Sequence, residues 1–504
     1  MKKGKIKVNE KALAHLSRGL YRSPASALRE MVSNAWDANA TIVRITTNYP
    51  MFYQIAIEDN GDGFNAEQFA SIMEGGVGSS RKREQKKKLI NGRPVVGRLG
   101  IGLLGIAQIS GDFIVASRPK NGKAFAARIH LYDFLKEELD EKTPKIIDVG
   151  EYELLEKDLS SFLPEKNGTR IITKLVHPTF TDAFQKSLKA PKFVEPTRDW
   201  KEVMSVMSGV QTLRELGDYW KLLWELAASS PIPYLNTNAL PGKLIAEMQE
   251  QLESYKFSVY LDGLKLAKPI FLKRNPAGYT KHKIDQQRKR VYGKDVDFHG
   301  YIIVQEGKQL QPDELRGILV RLKNVAIGYY DPSMLDYRTN QGPRSRWLTG
   351  EIYVDDGLED ALNLDRDSFN RFHPEYRVVQ DYIHNILTKD VFPEVYKQIE
   401  VRTKKRNSDK DKGRQKHLRS ILSESLKSPV TLKKTSGGVT AGTKKKLGKL
   451  EVSTPDEEAL DTKKSNRKLA SAVLSIFEVA LRENDAMKTR EKFKDLLLKL
   501  LADW

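Results

Sequence analysis

The stretch that most restricts the fold runs from residue 23 to residue 59, where a helical pattern passes directly into two strand patterns. In "SPASALREMVSNAWDANA" apolar residues recur at helical spacing, with Ser23 as candidate N-cap and Pro24 in the first turn. "TIVRITT" and "YQIAIED" then alternate apolar and polar, as half-buried strands do. With "DFIVASR", "AFAARIHLYD" and "TRIITKL" added, helices followed by antiparallel-looking strands imply an α+β sandwich over residues 1–180.

The helix carries more than a core-facing stripe. Glu30, Asn34 and Asp37 fall at i, i+4 and i+7 and share one face. A carboxylate and a carboxamide one turn apart can respectively take a proton from water and ligate Mg²⁺; the alternative is a solvated polar face. In "IAIEDNGDGF", Asp59 ends an alternating strand on the same face as Ile55 and Ile57, ahead of a Gly61/Gly63 turn. A carboxylate on an apolar face needs a donor, which an adenine amino group supplies; the alternative is a plain Asp-Asn-Gly hairpin turn.

Glycines are densest in "GRLGIGLLG", with Gly100, Gly102 and Gly105 spaced as G-x-G-x-x-G. A dinucleotide fold needs a buried strand before this spacing and an acid about 20 residues after it. Here a lysine run and "INGRPVV" precede it, and "NGKAFAAR" follows. A phosphate loop ending in Gly-Lys-Ser/Thr is also absent.

In order along the chain stand E-x-x-x-N-x-x-D-A, D-x-G-x-G, a glycine-rich turn after a polar loop, and G-T before a strand ("NGTRIITKL"). This set resembles the GHKL superfamily of gyrase, the ninety-kilodalton heat-shock chaperone, histidine kinases and MutL proteins, over roughly residues 20–175. The resemblance implies a Bergerat-type α/β sandwich with ATP between helices and sheet under a lid. It implies that Asp59 binds the adenine amino group, supported by Thr169 through water. Gly61 and Gly63 let the backbone pass close to the nucleotide, Asn34 ligates Mg²⁺, Asp37 belongs to the ATP-binding residues, and Glu30 polarises the attacking water. Backbone N–H groups of the 97–105 turn, Gly100, Ile101, Gly102 and Leu103 among them, face the phosphates at a helix N-terminus. Many relatives have a basic or aromatic residue where this chain has Leu103, so Arg98, Ser79, Ser80 and Arg81 are candidate supplements.

Residues 181–250 read as a helical connector and 251–400 as a second α/β domain of transducer or middle type. There "LEDALNLDRDSF" resembles the segment from which the heat-shock chaperone presents an arginine to the γ-phosphate, which points to Arg366; a guanidinium forks onto phosphate oxygens. Lys323 in "RLKNVAIG" is the alternative, since mismatch-repair and gyrase relatives use a lysine on a strand. The same region also resembles Morc-type ATPases.

Charge bears on the partner. Of a net +19, residues 401–450 contribute 16 Lys/Arg against 3 Asp/Glu and residues 81–98 contribute 8 against 1, so the remainder is near neutral. Residues 401–465 read as a disordered basic linker, and 466–504 as C-terminal amphipathic helices. The absence of cysteine excludes disulfides and thiol chemistry. No apolar run reaches the roughly 18–20 residues of a membrane span, and a cytoplasmic protein is expected. The expected function is a Mg²⁺-dependent ATPase working as an ATP-gated homodimeric clamp, with sequence-independent DNA binding through the basic tail. The alternatives are a chaperone-like ATPase with protein partners and a nucleotide-switch scaffold.

Overall fold

The computed structural model describes residues 3–9, 24–74, 89–90, 93–94, 102–131, 146–234, 242–269, 278–338, 342–363, 367–426, 430–435, 450–455, 473, 476–477, 479–481 and 485–502. The chain divides into two compact units, Met1–Gln398 and Ile399–Trp504.

The first unit contains the expected helix, α1 (Pro24–Asp37), and the strands β1 (Lys3–Asn9), β2 (Ile42–Thr46) and β3 (Ala56–Asp59). After α2 (Ala66–Glu74) and the short ribbon β4 (Leu89–Ile90) and β5 (Arg93–Pro94) come β6 (Asp112–Arg118), β7 (Phe125–Leu131), β8 (Ile146–Leu154) and β9 (Gly168–Thr173). These build most of a nine-stranded sheet, ordered β1-β8-β7-β6-β9-β3-β2-β10-β11. Val43, Ile45, Ile57, Phe113, Val115, Ala127, Ile129 and Ile171 lie in one buried cluster with Leu28, Met31, Val32, Ala35 and Trp36 of α1. Strand alternation and helical periodicity thus meet across one layer, as the α+β reading requires.

The expected domain boundaries differ from the packing. Strands β10 (Ser258–Leu261) and β11 (Leu264–Lys265) fall within the region read as a second domain, yet they complete the first sheet. β10 runs parallel to β2, Ser258 opposite Ile42. Without it β2 would be an open edge, and Val259 and Leu261 bring apolar side chains to the same core. The helical connector is likewise a core element. After α3 (Pro178–Ser187) and α4 (Trp200–Met207), α5 (Asp218–Ser229) is buried at every residue from Tyr219 to Ser229 except Lys221. α6 (Gly242–Ser254) follows.

A second sheet has the order β12-β13-β16-β14-β15, from β12 (Tyr279–Val291), β13 (Lys294–Gln305), β14 (Gly317–Leu322), β15 (Val325–Asp331) and β16 (Leu348–Asp356). β14 and β16 pair in parallel and are almost wholly buried, which suits their continuous apolar runs. Leu319, Ala326 and Tyr330 of this sheet join the core that holds α1 and α5. The two sheets therefore share one core. Helix α7 (Pro374–Ile386) follows this sheet.

The expected disordered linker also needs correction. Helix α8 (Phe392–Leu426) continues through residues 401–426. Lys, Arg, Glu, Gln and Leu are good helix formers, and the Glu400–Lys404 ion pair at 2.7 Å supports the turn. Val430–Thr435 (β17) and Leu450–Pro455 (β18) pair in parallel; the rest of the expected linker lies outside the described residues. In the second unit Leu418 is buried, as are Ile476, Val479, Ala480, Leu496 and Leu500; the last two lie on α9 (Ala486–Ala502). His417 Nε2 lies 3.1 Å from the Lys499 carbonyl oxygen. The C-terminal helices thus have an intramolecular surface to cover.

Candidate functional site

Helix α1 is buried on both faces. Its apolar residues meet the sheet, while Ser26, Arg29, Glu30, Ser33 and Asp37 are also buried. Glu30 is 8% exposed and Asp37 7%, so the face they share is not a solvated one. Asn34, between them, is partly exposed. Carboxylates are kept out of water only where partners or a ligand repay the desolvation. The segment Gly102–Gln108 packs along this helix.

At the end of β3, Asp59 stands opposite Thr169 of β9. Gly61 N donates to its Oδ1 at 2.8 Å. Desolvation pushes the Asp59 carboxyl up to about 6, against the opposing pull of the Gly61 and Thr169 N–H groups; Glu58 and Asp62 add to the rise. Among the described residues Asp59 is thus an acceptor with donors on its backbone side and acidic neighbours in Glu58 and Asp62.

The glycines around it are needed by close approach. A Cβ at Gly61 would stand 2.5 Å from the Ala38 carbonyl oxygen, and one at Gly168 1.9 Å from that of Asp59. Gly63 has φ 63°, and a Cβ there would lie 2.5 Å from the Arg118 carbonyl oxygen. The turn is tied on every side. Asp62 N donates to Ala38 O at 2.7 Å, and Asn167 Nδ2 donates to Gly61 O at 2.6 Å. Asn60 Oδ1 accepts from the backbone of Thr41 and Ile42, each at 2.8 Å. The Thr169 hydroxyl lies 3.3 Å from Ser117 Oγ, which also donates to Gly168 O. Ser117 and Asn167 carry no sequence signal of their own because their partners lie about fifty and a hundred residues away in the chain.

The glycine-rich turn departs from expectation. Gly102–Gln108 is a 3₁₀ segment of seven residues rather than an α-helix, so it offers a few backbone N–H groups and little helix dipole. Gly102 and Leu103 begin it. Ser79, Ser80, Arg81, Arg98, Gly100 and Ile101 lie outside the described residues. Arg93, counted with the basic lid segment, is buried instead: its guanidinium donates to Ala40 O at 2.6 Å and lies 4.9 Å from the Trp36 ring centroid.

In the second sheet, Lys323 is not on a strand. With Asn324 it forms the turn between β14 and β15, φ 52° and 70°, as a two-residue hairpin requires. Its Nζ lies 2.6 Å from Glu359 Oε1. Burial pushes the Glu359 carboxyl up, but the Lys323 charge and hydrogen bond outweigh it and hold it below its ordinary value. Arg366 lies outside the described residues. Its neighbour Asp367 does not: Asp367 pairs with Arg29 of α1, and Ser26 Oγ donates to it at 3.1 Å. Burial would lower the Arg29 pKa, yet the Asp367 charge and hydrogen bond hold it above its ordinary value. Neither partner carries a sequence signal, since their separation in the chain is closed only by packing.

One unit thus brings together a helix on a mixed sheet, a strand-end carboxylate opposite a Gly-Thr strand, and a helix face on which Glu30 and Asp37 are buried and Asn34 is partly exposed. Residues 21–169 match the family described as "Histidine kinase-, DNA gyrase B-, and HSP90-like ATPase", and this part of the chain is a GHKL ATPase domain. A protein of Herpetosiphon aurantiacus described as "Putative type II restriction enzyme HgiDII" is 42% identical over 98 residues, which span 19% of this chain and 15% of that protein. A solved structure, "Crystal Structure of N terminal domain of a DNA repair protein", is 14% identical with a TM-score of 0.36, covering 75% of this chain and 97% of that one. Among the described residues no helix is long and apolar enough to cross a membrane.

Proposed function

We propose that the chain binds ATP with Mg²⁺ in the first unit and hydrolyses it, and that the two steps drive a dimeric clamp acting on nucleic acid. The observation that carries the nucleotide reading is Asp59. It is a desolvated carboxylate whose two N–H donors come from its own backbone surroundings, beside glycines at positions a Cβ would fill. The 6-amino group of adenine is the complementary donor. Glu30 takes the proton of the attacking water as its oxygen bonds to the γ-phosphorus and ADP leaves. The Asn34 carboxamide oxygen, with Asp37 one turn on, suits a hard cation; Asn34 would hold Mg²⁺, which would supply charge to offset that of the phosphates. Arg366, or Lys323 once released from Glu359, supplies the second cation. Glu30→Ala is expected to bind ATP as the wild type does while turnover falls about 10²–10⁴-fold. An unchanged rate would move the base elsewhere or leave a nucleotide switch.

The nucleic-acid partner is favoured by α8. Residues 402–417 contain no apolar side chain, and residues 402–419 carry nine Lys/Arg against two Asp/Glu. Arg402, Lys404, Lys405, Arg406, Lys410 and Lys412 are all exposed. A helix polar all round gains little from a protein core and much from a polyanion. The partial relative named for restriction agrees with that partner. DNA binding is to be measured against salt for the full chain and for one with Lys404, Lys405, Arg406, Lys444, Lys445 and Lys446 neutralised. The neutralised chain should bind more weakly, its log–log slope smaller by roughly 0.9 for each phosphate it no longer neutralises. Equal affinity and slope would favour the chaperone-like reading.

A further inference from the structure

The ion pair between Arg29 and Asp367 has no part in the nucleotide chemistry above, yet it sits one residue before Glu30. Both side chains are buried, 8% and 4% exposed. Two apolar residues of similar volume would pack such a space at least as well, because taking two charges out of water is costly. A charged pair adds register, since a buried guanidinium and carboxylate are satisfied in only a narrow range of placements.

The surroundings of Asp367 are built to hold it still. Asn363 N donates to Ser368 O at 3.0 Å, and Asn363 Nδ2 to Ser368 Oγ at 2.9 Å. Asn370 N donates to Ala361 O at 2.7 Å, and the Phe369 ring stacks on Tyr376 with centroids 5.4 Å apart. On β15, Gly328 has φ 71°, and a Cβ there would stand 2.6 Å from the Asp367 carbonyl oxygen. Glycine at 328 therefore lets the Asp367 backbone lie against the strand while its carboxylate reaches Ser26 and Arg29, one turn apart on α1.

We propose that the Arg29–Asp367 pair is a positioning latch, through which Asp367, held beside β15 by the residues that follow β16, sets the register of the helix that carries Glu30 and so controls turnover. Arg29 and Asp367 act through Glu30 and touch no substrate. The proposal rests on the ATPase reading of the first unit.

The test uses the full chain, with Asp367→Asn and the apolar double variant Arg29→Met/Asp367→Leu. ATP affinity, turnover at saturating ATP, and amide exchange in residues 24–37 and 358–369 are measured for each. Asp367→Asn should keep nucleotide affinity and lose about tenfold to a hundredfold in turnover, the scale of a small misplacement of a catalytic group. The double variant should fold with a melting midpoint at or above the wild type, without regaining turnover. Full turnover in either variant overturns the latch, since the pair would then only fill space. If Asp367→Asn fails to fold, the double variant decides alone. A wild type that binds ATP without hydrolysing it sinks the hydrolysis reading and leaves the latch measurable. ATP should then slow exchange of the 358–369 amides in the wild type and not in the variants, and equal slowing in all three overturns the latch.

Discussion

Two desolvated carboxylates in the first unit behave in opposite ways. Glu351, on β16, is 1% exposed, yet its carboxyl is held down to about 2. Burial pushes it up, but the charge and hydrogen bond of Arg321 outweigh that, with Lys268 and the Tyr330 hydroxyl assisting. Tyr330 donates at 2.6 Å, Tyr234 at 2.9 Å and Tyr353 at 3.1 Å, and Lys268 Nζ lies 3.2 Å from the Tyr353 hydroxyl. Asp59 has two backbone donors and acidic neighbours, and it is pushed up to about 6. A carboxylate given every partner by its own chain serves the fold. One left in a strong acceptor state with little compensation is suited to a ligand.

The contrast predicts unequal responses to mutation. Glu351→Ala leaves the Arg321 guanidinium buried without its countercharge, and should cost about 3–5 kcal/mol of stability. Denaturant unfolding measures it, and a loss below about 1 kcal/mol would show the network to be dispensable. Asp59→Asn should leave folding intact and weaken ATP binding by about 1.5–3 kcal/mol, because the amide can present a donor where adenine also donates. Unchanged affinity would remove the adenine assignment.

The smallest effect is in pH, and its sign separates the two sites. The Asp59 pKa is raised, so the native chain takes up a proton as pH falls through about 6. Protonation removes the acceptor, and ATP affinity should fall about fourfold between pH 7.5 and 5.5 while the ligand-free fold gains slightly. The Glu351 pKa is depressed, so its stabilisation is complete above its ordinary 4.5 and is lost as pH falls toward about 2. Affinity that is flat through pH 6 would break the contrast at Asp59.

Much of the candidate site is legible in the sequence because it is local. Glu30, Asn34 and Asp37 lie within two turns of one helix, and Asp59, Gly61 and Gly63 within a single strand end and turn. Their spacing is fixed by helix and strand geometry before any tertiary contact forms. The linker misleads for a different reason. Residues 402–417 lack apolar side chains, which resembles a disordered composition, but the same Lys and Arg residues are good helix formers. The amphipathic pattern of the C-terminal helices is visible in the sequence, while the contact between His417 of α8 and the Lys499 carbonyl of α9 is not.

By itself the sequence determined the helix-then-strand order of residues 24–59, a carboxylate at the end of β3, and the glycines where backbone must approach backbone. These follow from periodicity and from the absence of a Cβ, both properties of short segments. Tertiary structure alone decided that β10 closes the edge beside β2, that α5 lies inside a core shared by both sheets, and that Asp367 reaches Arg29. Each joins residues far apart in the chain, and no local pattern records which distant partner will satisfy a buried edge or a buried charge. That choice is made when the core closes and every desolvated group must find the partner within reach.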